Sequence, residues 1–213
     1  MNDNLFVNTL PTKTSALITE FKKYRPFFLK SFYLSGGTAL SLLIGHRESE
    51  DLDFFCEKDF DPSQIQTVLK EFGSLEETEL DKNTLNTYLK GVKLQFLGYP
   101  YRLIEPLIDW QGIKLSSVID IACTKLQTVG MRGSKKDFID IYFLLDIFSL
   151  EDLFKALQKK YPEIGYNTTH ILKSLVYFED ADGQPMPKMH KEANWETVKA
   201  KLVETVKNYP LTS

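Results

Sequence analysis

Two short segments of the sequence carry residue types that bind phosphate groups and divalent cations. Gly36-Gly37-Thr38 lies between a β-prone run and a short apolar segment, and Asp51-Leu52-Asp53 begins a second β-prone run. Paired glycines let the backbone approach a phosphate because no Cβ intervenes, the helix N-terminus that follows them offers free N–H groups, and Thr38 adds a hydroxyl. The two carboxylates lie on one strand face, roughly 6–7 Å apart, and can hold a cation such as Mg²⁺.

Each segment by itself also has a purely structural interpretation. A Gly-Gly pair is usually a turn, and an Asp-x-Asp pair is usually a solvated strand edge. Their occurrence in this order, with the first strand before the glycines and the second strand starting at the aspartates, favours a functional site.

Hydrophobic periodicity predicts the elements that would position these residues. The front of the chain has a mixture of predicted helices and strands, with helices over 14–29, 38–44 and 62–72 and strands over 32–34, 52–56, 75–80, 84–89 and 92–97. After Pro106 the pattern is helical over 117–131, 135–148, 150–160, 166–180 and 194–207, with Ser149 and Asn167 as caps. We therefore predict an α+β protein, with a mixed β-sheet and flanking helices over residues 1–112 and a helical C-terminal domain over 113–213.

Longer stretches around these residues carry a family resemblance. They are Gly36-Gly37-Thr38-Ala39-Leu40, the segment Arg47-Glu48-Ser49-Glu50-Asp51-Leu52-Asp53-Phe54-Phe55, and the later residues 121–126, 132–133 and 136–145. Together they resemble the AbiEii/AbiGii-type toxin nucleotidyltransferases, which belong to the DNA polymerase β-like nucleotidyltransferase superfamily. The resemblance covers about residues 32–148.

The resemblance implies a nucleotidyltransferase-like sheet, an active-site cleft completed by the C-terminal domain, and a role for each matching residue. Asp51 and Asp53 would bind Mg²⁺, and Lys125 would reach a phosphate of the NTP. Asp137 or Asp140 would act as a base or orient a neighbouring cation. The nucleotide would be contacted by the remaining matching residues, Gly36, Gly37, Thr38, Arg47, Ser49 and Arg132.

Spacing alone favours a structural role for the second of these stretches. Lys136 and Asp140 are four residues apart, as in an ordinary ion pair on a helix surface. Only the resemblance therefore favours catalysis by Lys125 and Asp137.

One position departs from the pattern of the superfamily. Polymerase β-like enzymes generally place a third carboxylate on a later strand beside the Asp-x-Asp pair, and here the inward position of the strand around Val92–Phe96 holds Gln95. An uncharged amide is a poor Mg²⁺ ligand and cannot act as a base. Single-metal chemistry assisted by Asp137 and a fold retained without catalysis both remain open.

Composition limits the classes of protein to which the chain can belong. It has 26 Lys and Arg against 29 Asp and Glu, a net charge of -3, which argues against a protein that coats nucleic acid. Its two cysteines, Cys56 and Cys123, lack metal-ligand spacing, and we expect both to be buried. The N-terminus lacks a signal-peptide pattern and no stretch is long and apolar enough to cross a membrane, so we expect a soluble, cytoplasmic protein with no membrane partner.

Three functional hypotheses follow. The first is an enzyme that transfers a nucleoside monophosphate from an NTP to an RNA end, such as that of tRNA, or to a protein hydroxyl. The resemblance implies that this enzyme is the toxin of a toxin–antitoxin or phage-defence system and that its partner is a cognate antitoxin. The second is a degenerate fold that binds a nucleotide or protein without turnover. The third is an interaction module anchored by exposed aromatic residues such as Trp195.

The sequence also predicts the surroundings of two smaller features. We expect His46 to be exposed, and we expect Tyr99-Pro100-Tyr101 to pack as a loop rather than stack on a base.

Overall fold

The computed structural model of the protein describes residues 5–210. The chain divides into two compact units, one ending at Ser117 and the other beginning at Val118.

The first unit is built on a mixed β-sheet, seven-stranded within the described residues, whose strand order is β3-β4-β5-β2-β1-β7-β6. β2 runs parallel to β5, β1 runs parallel to β7, and the other neighbouring strands are antiparallel. The elements are a 3₁₀ turn Val7–Thr9, α1 Thr12–Tyr24, a 3₁₀ turn Phe27–Lys30, β1 Tyr33–Ser35, α2 Gly36–Ile44, β2 Leu52–Cys56, α3 Pro62–Lys70, β3 Leu75–Asp81, β4 Thr84–Leu89, β5 Val92–Gly98, β6 Ile108–Trp110 and β7 Ile113–Leu115.

Phenylalanine rings fill the core beneath this sheet. Phe54 of β2 stacks on Phe96 of β5 with ring centroids 5.1 Å apart, and Phe28 packs edge-on against both. Phe54 and Phe96 are fully buried. Because successive side chains of a strand point to opposite faces, burial of these rings places Asp53 and Gln95 on the other face of the sheet.

Two elements of the first unit differ from the sequence prediction. The helix predicted over 14–29 ends at Tyr24, where Arg25 adopts a left-handed conformation (φ 46°). Pro26 follows, and a proline cannot continue the helical hydrogen bonding and disfavours helix in the residue before it. The β6–β7 hairpin was not predicted because its three-residue strands are too short to show a period. It turns at Gln111 and Gly112, both with positive φ.

The hairpin also explains where the first unit ends. The sequence predicts a boundary between residues 112 and 113, which falls inside the turn. Leu115 of β7 pairs with Leu34 of β1, and the Ser116 N–H donates to the Leu34 carbonyl at 2.9 Å. These bonds attach the chain to the sheet as far as Ser116, one residue before the first unit ends.

The second unit consists of helices: α4 Val118–Met131, α5 Lys135–Leu144, α6 Leu150–Lys160, α7 Thr168–Ser174, α8 Glu179–Asp182 and α9 Trp195–Lys207. The caps predicted at Ser149 and Asn167 are confirmed, since their side chains accept from the N–H groups of Asp152 and His170. The single helix predicted over 166–180 is wrong. The chain turns between α7 and α8, where the Phe178 ring packs against Phe138 and Trp195 at 5.1 and 5.6 Å. The predicted α+β class is confirmed.

The observed burial of individual side chains tests several predictions about their exposure. Trp195 is half-buried in that aromatic cluster and its indole N–H donates to Asp182 at 2.6 Å, so it is a packing residue rather than an exposed anchor. His46, expected at the surface, is fully buried. Cys56 and Cys123 are buried as predicted, and burial raises the pKa of the Cys123 thiol to about 12. None of the helices in residues 5–210 combines the length and apolar character needed to span a membrane.

Candidate active site

The backbone of Gly36 lies against the carboxylate of Asp53 in the first unit. Antiparallel pairing of β1 and β2 sets Ser35 opposite Asp53 and so brings the next residue, Gly36, to the carboxylate. Gly36 has φ +65°, and a Cβ there would overlap Asp53 Oδ2. This position therefore requires glycine for two reasons. Its backbone conformation is left-handed, and Asp53 occupies the space that a Cβ would need.

The second glycine is flanked by a guanidinium and a hydroxyl. A Cβ on Gly37 would lie 2.8 Å from Arg47 Nη2 and 3.1 Å from Ser49 Oγ. Arg47 is almost completely buried, and its Nη1 donates to the carbonyl of Glu48 at 2.9 Å. The structure thus brings three predicted site residues together around the first turn of α2.

The N-terminus of α2 has the features of an anion site. Ser35 precedes the helix without a side-chain cap, so its hydroxyl does not satisfy the free N–H groups of the first turn. Those groups and the positive end of the helix dipole favour a negatively charged ligand such as phosphate. The adjoining Arg47 guanidinium adds a full positive charge with planar donors.

Thr38 has a structural use at this site. Its hydroxyl donates to the backbone carbonyl of Asp51 at 2.5 Å, and its side chain is fully buried. Since a hydroxyl has a single proton to donate, Thr38 fixes the backbone at Asp51 relative to α2 instead of offering that proton to a ligand.

A row of polar side chains crosses the face of the sheet that is opposite the phenylalanine core. Parallel pairing sets Asp53 of β2 beside Gln95 of β5, and antiparallel pairing sets Gln95 beside Asn86 of β4. The Gln95 amide nitrogen donates to Asn86 Oδ1 at 2.8 Å. On the other side of Asp53, the Ser35 hydroxyl accepts from the Ser116 hydroxyl at 3.0 Å. The neighbour of Asp53 on β5 is therefore an amide, as the sequence predicts.

Asp51 and Asp53 are the carboxylates at this site that could ligate a divalent cation. Both are half-buried. No group of three or more His, Cys, Asp or Glu arranged to hold a metal is found in the described part of the chain. Mg²⁺ typically takes one or two protein carboxylates and completes its shell with water and substrate phosphates. The donors therefore fit a Mg²⁺ ion that binds together with a nucleotide.

In the second unit, the predicted lysine is held by two carboxylates. Lys125 Nζ of α4 lies 2.7 Å from Asp137 Oδ1 and 2.7 Å from Asp140 Oδ2 of α5. Asp140, which spacing alone would place on the surface beside Lys136, is fully buried. Asp140 is therefore not the surface partner of Lys136 that spacing alone predicts.

Asp137 is fixed by the start of its own helix. Ser134 caps α5 in a capping box with Asp137, and the Ser134 hydroxyl donates to Asp137 Oδ2 at 2.6 Å. One carboxylate oxygen thus faces Lys125 and the other faces Ser134. The Ser-x-x-Asp spacing is a sequence signal for this arrangement, although Ser134 was not among the predicted site residues.

Arg132 lies on the exposed segment between α4 and α5 and lines two cavities of the second unit. One, of about 390 Å³, also has Asp137 and Gln184 in its wall. The other, of about 370 Å³, includes His170, Lys173 and Tyr177. The structure therefore places Arg132 and Asp137 on the wall of one cavity.

Comparison with known proteins decides the family. A family described as "Nucleotidyl transferase AbiEii toxin, Type IV TA system" matches residues 23–103 and 90–210. The chain belongs to the AbiEii family. Its resemblance to AbiEii-type toxins is confirmed, and membership supports nucleotidyl transfer and a toxin role in general terms.

A relative and two solved structures extend this result. The uncharacterized protein aq_aa25 of Aquifex aeolicus (strain VF5) is 40% identical over 184 residues, which are 84% of this chain and 87% of that protein. MenT4, a nucleotidyltransferase toxin from Mycobacterium tuberculosis H37Rv, matches with a TM-score of 0.58 and 16% identity over 94% of this chain and 87% of its own. JHP933 from Helicobacter pylori matches at 0.52 and 17%, over 91% and 89%. These two likenesses confirm the fold of this AbiEii member.

Replacing Gly36 with alanine should destabilise the protein and displace the Asp53 carboxylate. Gly91→Ala is the matched control because Gly91 also has positive φ (+71°), but the nearest atom to a Cβ there is the flexible Lys13 Nζ at 3.1 Å. The control should lose about 1–2 kcal/mol for the left-handed backbone, and Gly36→Ala should lose clearly more. The free energy of unfolding in urea measures both, and equal losses would contradict a close Gly36–Asp53 contact.

Replacing Lys125 with methionine should destabilise the protein by about 3–5 kcal/mol because it leaves two buried carboxylates without the ammonium that neutralises them. Urea denaturation at neutral pH measures the change. Lys155→Met is the control, since Lys155 forms an exposed ion pair of the same length, 2.7 Å, with Glu151, and such pairs contribute little. A loss at Lys125 no greater than at Lys155 would argue against a buried network.

Proposed function

We propose that this AbiEii protein is a Mg²⁺-dependent nucleotidyltransferase that acts as the toxin of a toxin–antitoxin or phage-defence system. It would transfer a nucleoside monophosphate from an NTP to a hydroxyl group. The observation that carries the proposal is the approach of Gly36 to Asp53, because it joins a backbone suited to phosphate with a carboxylate suited to a divalent cation.

The triphosphate side of this site would be bound by α2 and the segment after it. The free N–H groups of the first turn point to the anion, and Arg47 and Ser49 beside Gly37 provide further donors. Arg47 is suited to this task because its guanidinium is always charged and its burial limits its movement. Thr38 contributes indirectly by holding Asp51 at the start of β2.

Asp51 and Asp53 would hold the Mg²⁺ ion. When bound, the ion would neutralise charge on the phosphates and lower the pKa of an attacking hydroxyl. In the reaction, the acceptor oxygen forms a bond to the α-phosphorus, the bond to the bridging oxygen of the β-phosphate breaks, and pyrophosphate leaves. The proton of the acceptor hydroxyl passes to a base. Most of the rate would come from positioning and charge neutralisation.

The resemblance implies a phosphate-contacting lysine and a base, and we propose Lys125 and Asp137 for these roles. Lys125 would contribute a positive charge to a phosphate, and its two carboxylate partners would hold it in place. Asp137 would act as the base or as the group that orients Lys125. Its contacts with both Lys125 and Ser134 favour the orienting role. Arg132, on the wall of the same cavity as Asp137, would bind the nucleotide.

The proposed acceptor is an RNA end, such as that of tRNA, or a protein hydroxyl, and the proposed protein partner is a cognate antitoxin. A second function is favoured by one observation, the amide of Gln95 at the position beside Asp53. With only two carboxylates, the fold could bind a nucleotide or a protein partner without turning it over.

The first test of this proposal is transfer of label from each α-³²P-labelled NTP, with Mg²⁺, onto total tRNA and onto the protein itself. Asp53→Asn should lower the transfer rate at least about 100-fold, which is the usual effect of removing one group that stabilises charge in the transition state. Glu57→Gln is the control, because Glu57 is exposed and follows β2 directly. Label transfer that is equal in wild type and Asp53→Asn would contradict the assigned site. No transfer by a folded protein that binds NTP would favour the second function.

The toxin role makes a separate prediction in cells. Overexpression of the wild-type chain should slow growth, and Asp53→Ala should relieve the effect because it removes a metal-binding carboxylate. Growth curves at matched expression, confirmed by immunoblot, measure this. Equal toxicity of the two proteins would count against a toxin that acts by nucleotidyl transfer.

A further inference from the structure

Gln95 lies directly beside Asp53 on β5, where its side chain can share a ligand with that carboxylate. The two residues are register partners in parallel strands, and side chains of neighbouring strands at the same register lie on the same face, roughly 5 Å apart. Gln95 is half-buried, and its flanking residues Leu94 and Phe96 are fully buried in the core. The backbone around Gln95 is therefore fixed, and its side chain can only serve the face that carries Asp53.

The amide of Gln95 has a defined orientation. Its Nε2 atom donates to Asn86 Oδ1 at 2.8 Å, on the β4 side of the strand. A carboxamide carries its oxygen and its nitrogen on opposite branches, so this bond turns Oε1 away from Asn86. Among the described residues, nothing donates a hydrogen bond to Oε1.

We propose that Gln95 Oε1 is the third oxygen ligand of the Asp51–Asp53 cation site, and that Asn86 is the positioning residue that presents it. The inference rests on the proposed function, because it assigns a further ligand to the same cation. Amide oxygens are accepted ligands of hard divalent cations, though weaker than carboxylates. Asn86 fixes the orientation of this ligand through a hydrogen bond, as residues that surround metal ligands commonly do.

An amide at this position changes the charge of the site. Two carboxylates and one amide carry a formal charge of -2, whereas three carboxylates would carry -3. A less negative site binds a divalent cation more weakly, and it is poorly matched to two divalent ions in close proximity. The site is thus suited to a single cation whose remaining charge is neutralised by the nucleotide.

The test uses Mn²⁺ alone as the probe, because loss of its free electron paramagnetic resonance signal reports binding without any catalytic step. Gln95→Met keeps the length of the side chain but removes its oxygen, and it should weaken binding at least about tenfold. Asn86→Leu should weaken binding on the order of tenfold by releasing the amide. Gln95→Glu should tighten binding on the order of tenfold by adding a charge.

Lys93→Gln is the control for electrostatics at a distance. Lys93 lies two residues before Gln95 on the same strand face and is exposed, and this substitution changes the net charge by the same amount as Gln95→Glu. It should alter Mn²⁺ affinity by less than about twofold, since an exposed charge is screened by solvent and salt. Thermal unfolding of each variant confirms that the comparison is made between folded proteins.

The outcomes separate this inference from the function on which it rests. If wild type binds Mn²⁺ no better than Asp53→Asn, the cation site itself is refuted, and the role of Gln95 falls with it. If Asp53→Asn loses binding while Gln95→Met and Asn86→Leu bind as wild type does, the cation site stands and the role of Gln95 is refuted. Equal tightening by Gln95→Glu and Lys93→Gln would also refute a direct ligand.

Discussion

The pairing of β1 with β2 is the constraint on which the candidate site in the first unit depends. It brings the backbone of Gly36 against the carboxylate of Asp53, and the buried Phe54 next to Asp53 determines which face of the sheet the carboxylate occupies. A shift of one residue in either strand would exchange the two faces, moving the carboxylate into the phenylalanine core. Stability and site geometry therefore rest on the same set of contacts.

Two buried ion pairs in the second unit illustrate different uses of the same chemistry. Lys160 and Asp120 form a pair at 2.6 Å in which both side chains are almost completely buried. Lys125 instead faces two carboxylates, and one of these, Asp137, lines a cavity. Burying charges is costly even when they are paired. The proposed function gives the Lys125 cluster a use beyond stability, whereas Lys160 and Asp120 have no part in it.

The residues of the candidate site include some that lie within the segments resembling the AbiEii family and others that lie outside them. Membership accounts for the glycines, the two aspartates and the lysine, which occur in the segments that resemble the family. Gln95 departs from the three-carboxylate pattern that the resemblance to polymerase β-like enzymes implies, and its amide is held by a hydrogen bond to Asn86 of the neighbouring strand. A lower negative charge at the site would make cation binding depend more strongly on the nucleotide.

Local sequence determined much of this protein. The period-two pattern predicted β2 as the structure has it. The types and order of Gly36, Asp51 and Asp53 predict phosphate and cation binding, and the structure shows Gly36 and Asp53 side by side. Capping residues such as Ser149 were also predictable, since a cap depends on residues within one turn of helix. The position of Gln95 beside Asp53 followed from the expected strand order of a polymerase β-like sheet.

Other features were decided only by tertiary structure. The short strand β7 forms because Leu115 finds a partner in Leu34, eighty-one positions earlier in the chain. The partner of Asp140 is Lys125 of another helix, and this contact cannot be inferred from spacing within α5. Asn86 meets Gln95 through strand register, and Trp195 joins an aromatic cluster made by distant residues. In each case the energy comes from burying or pairing groups that are remote in sequence, and local propensity does not contain that information.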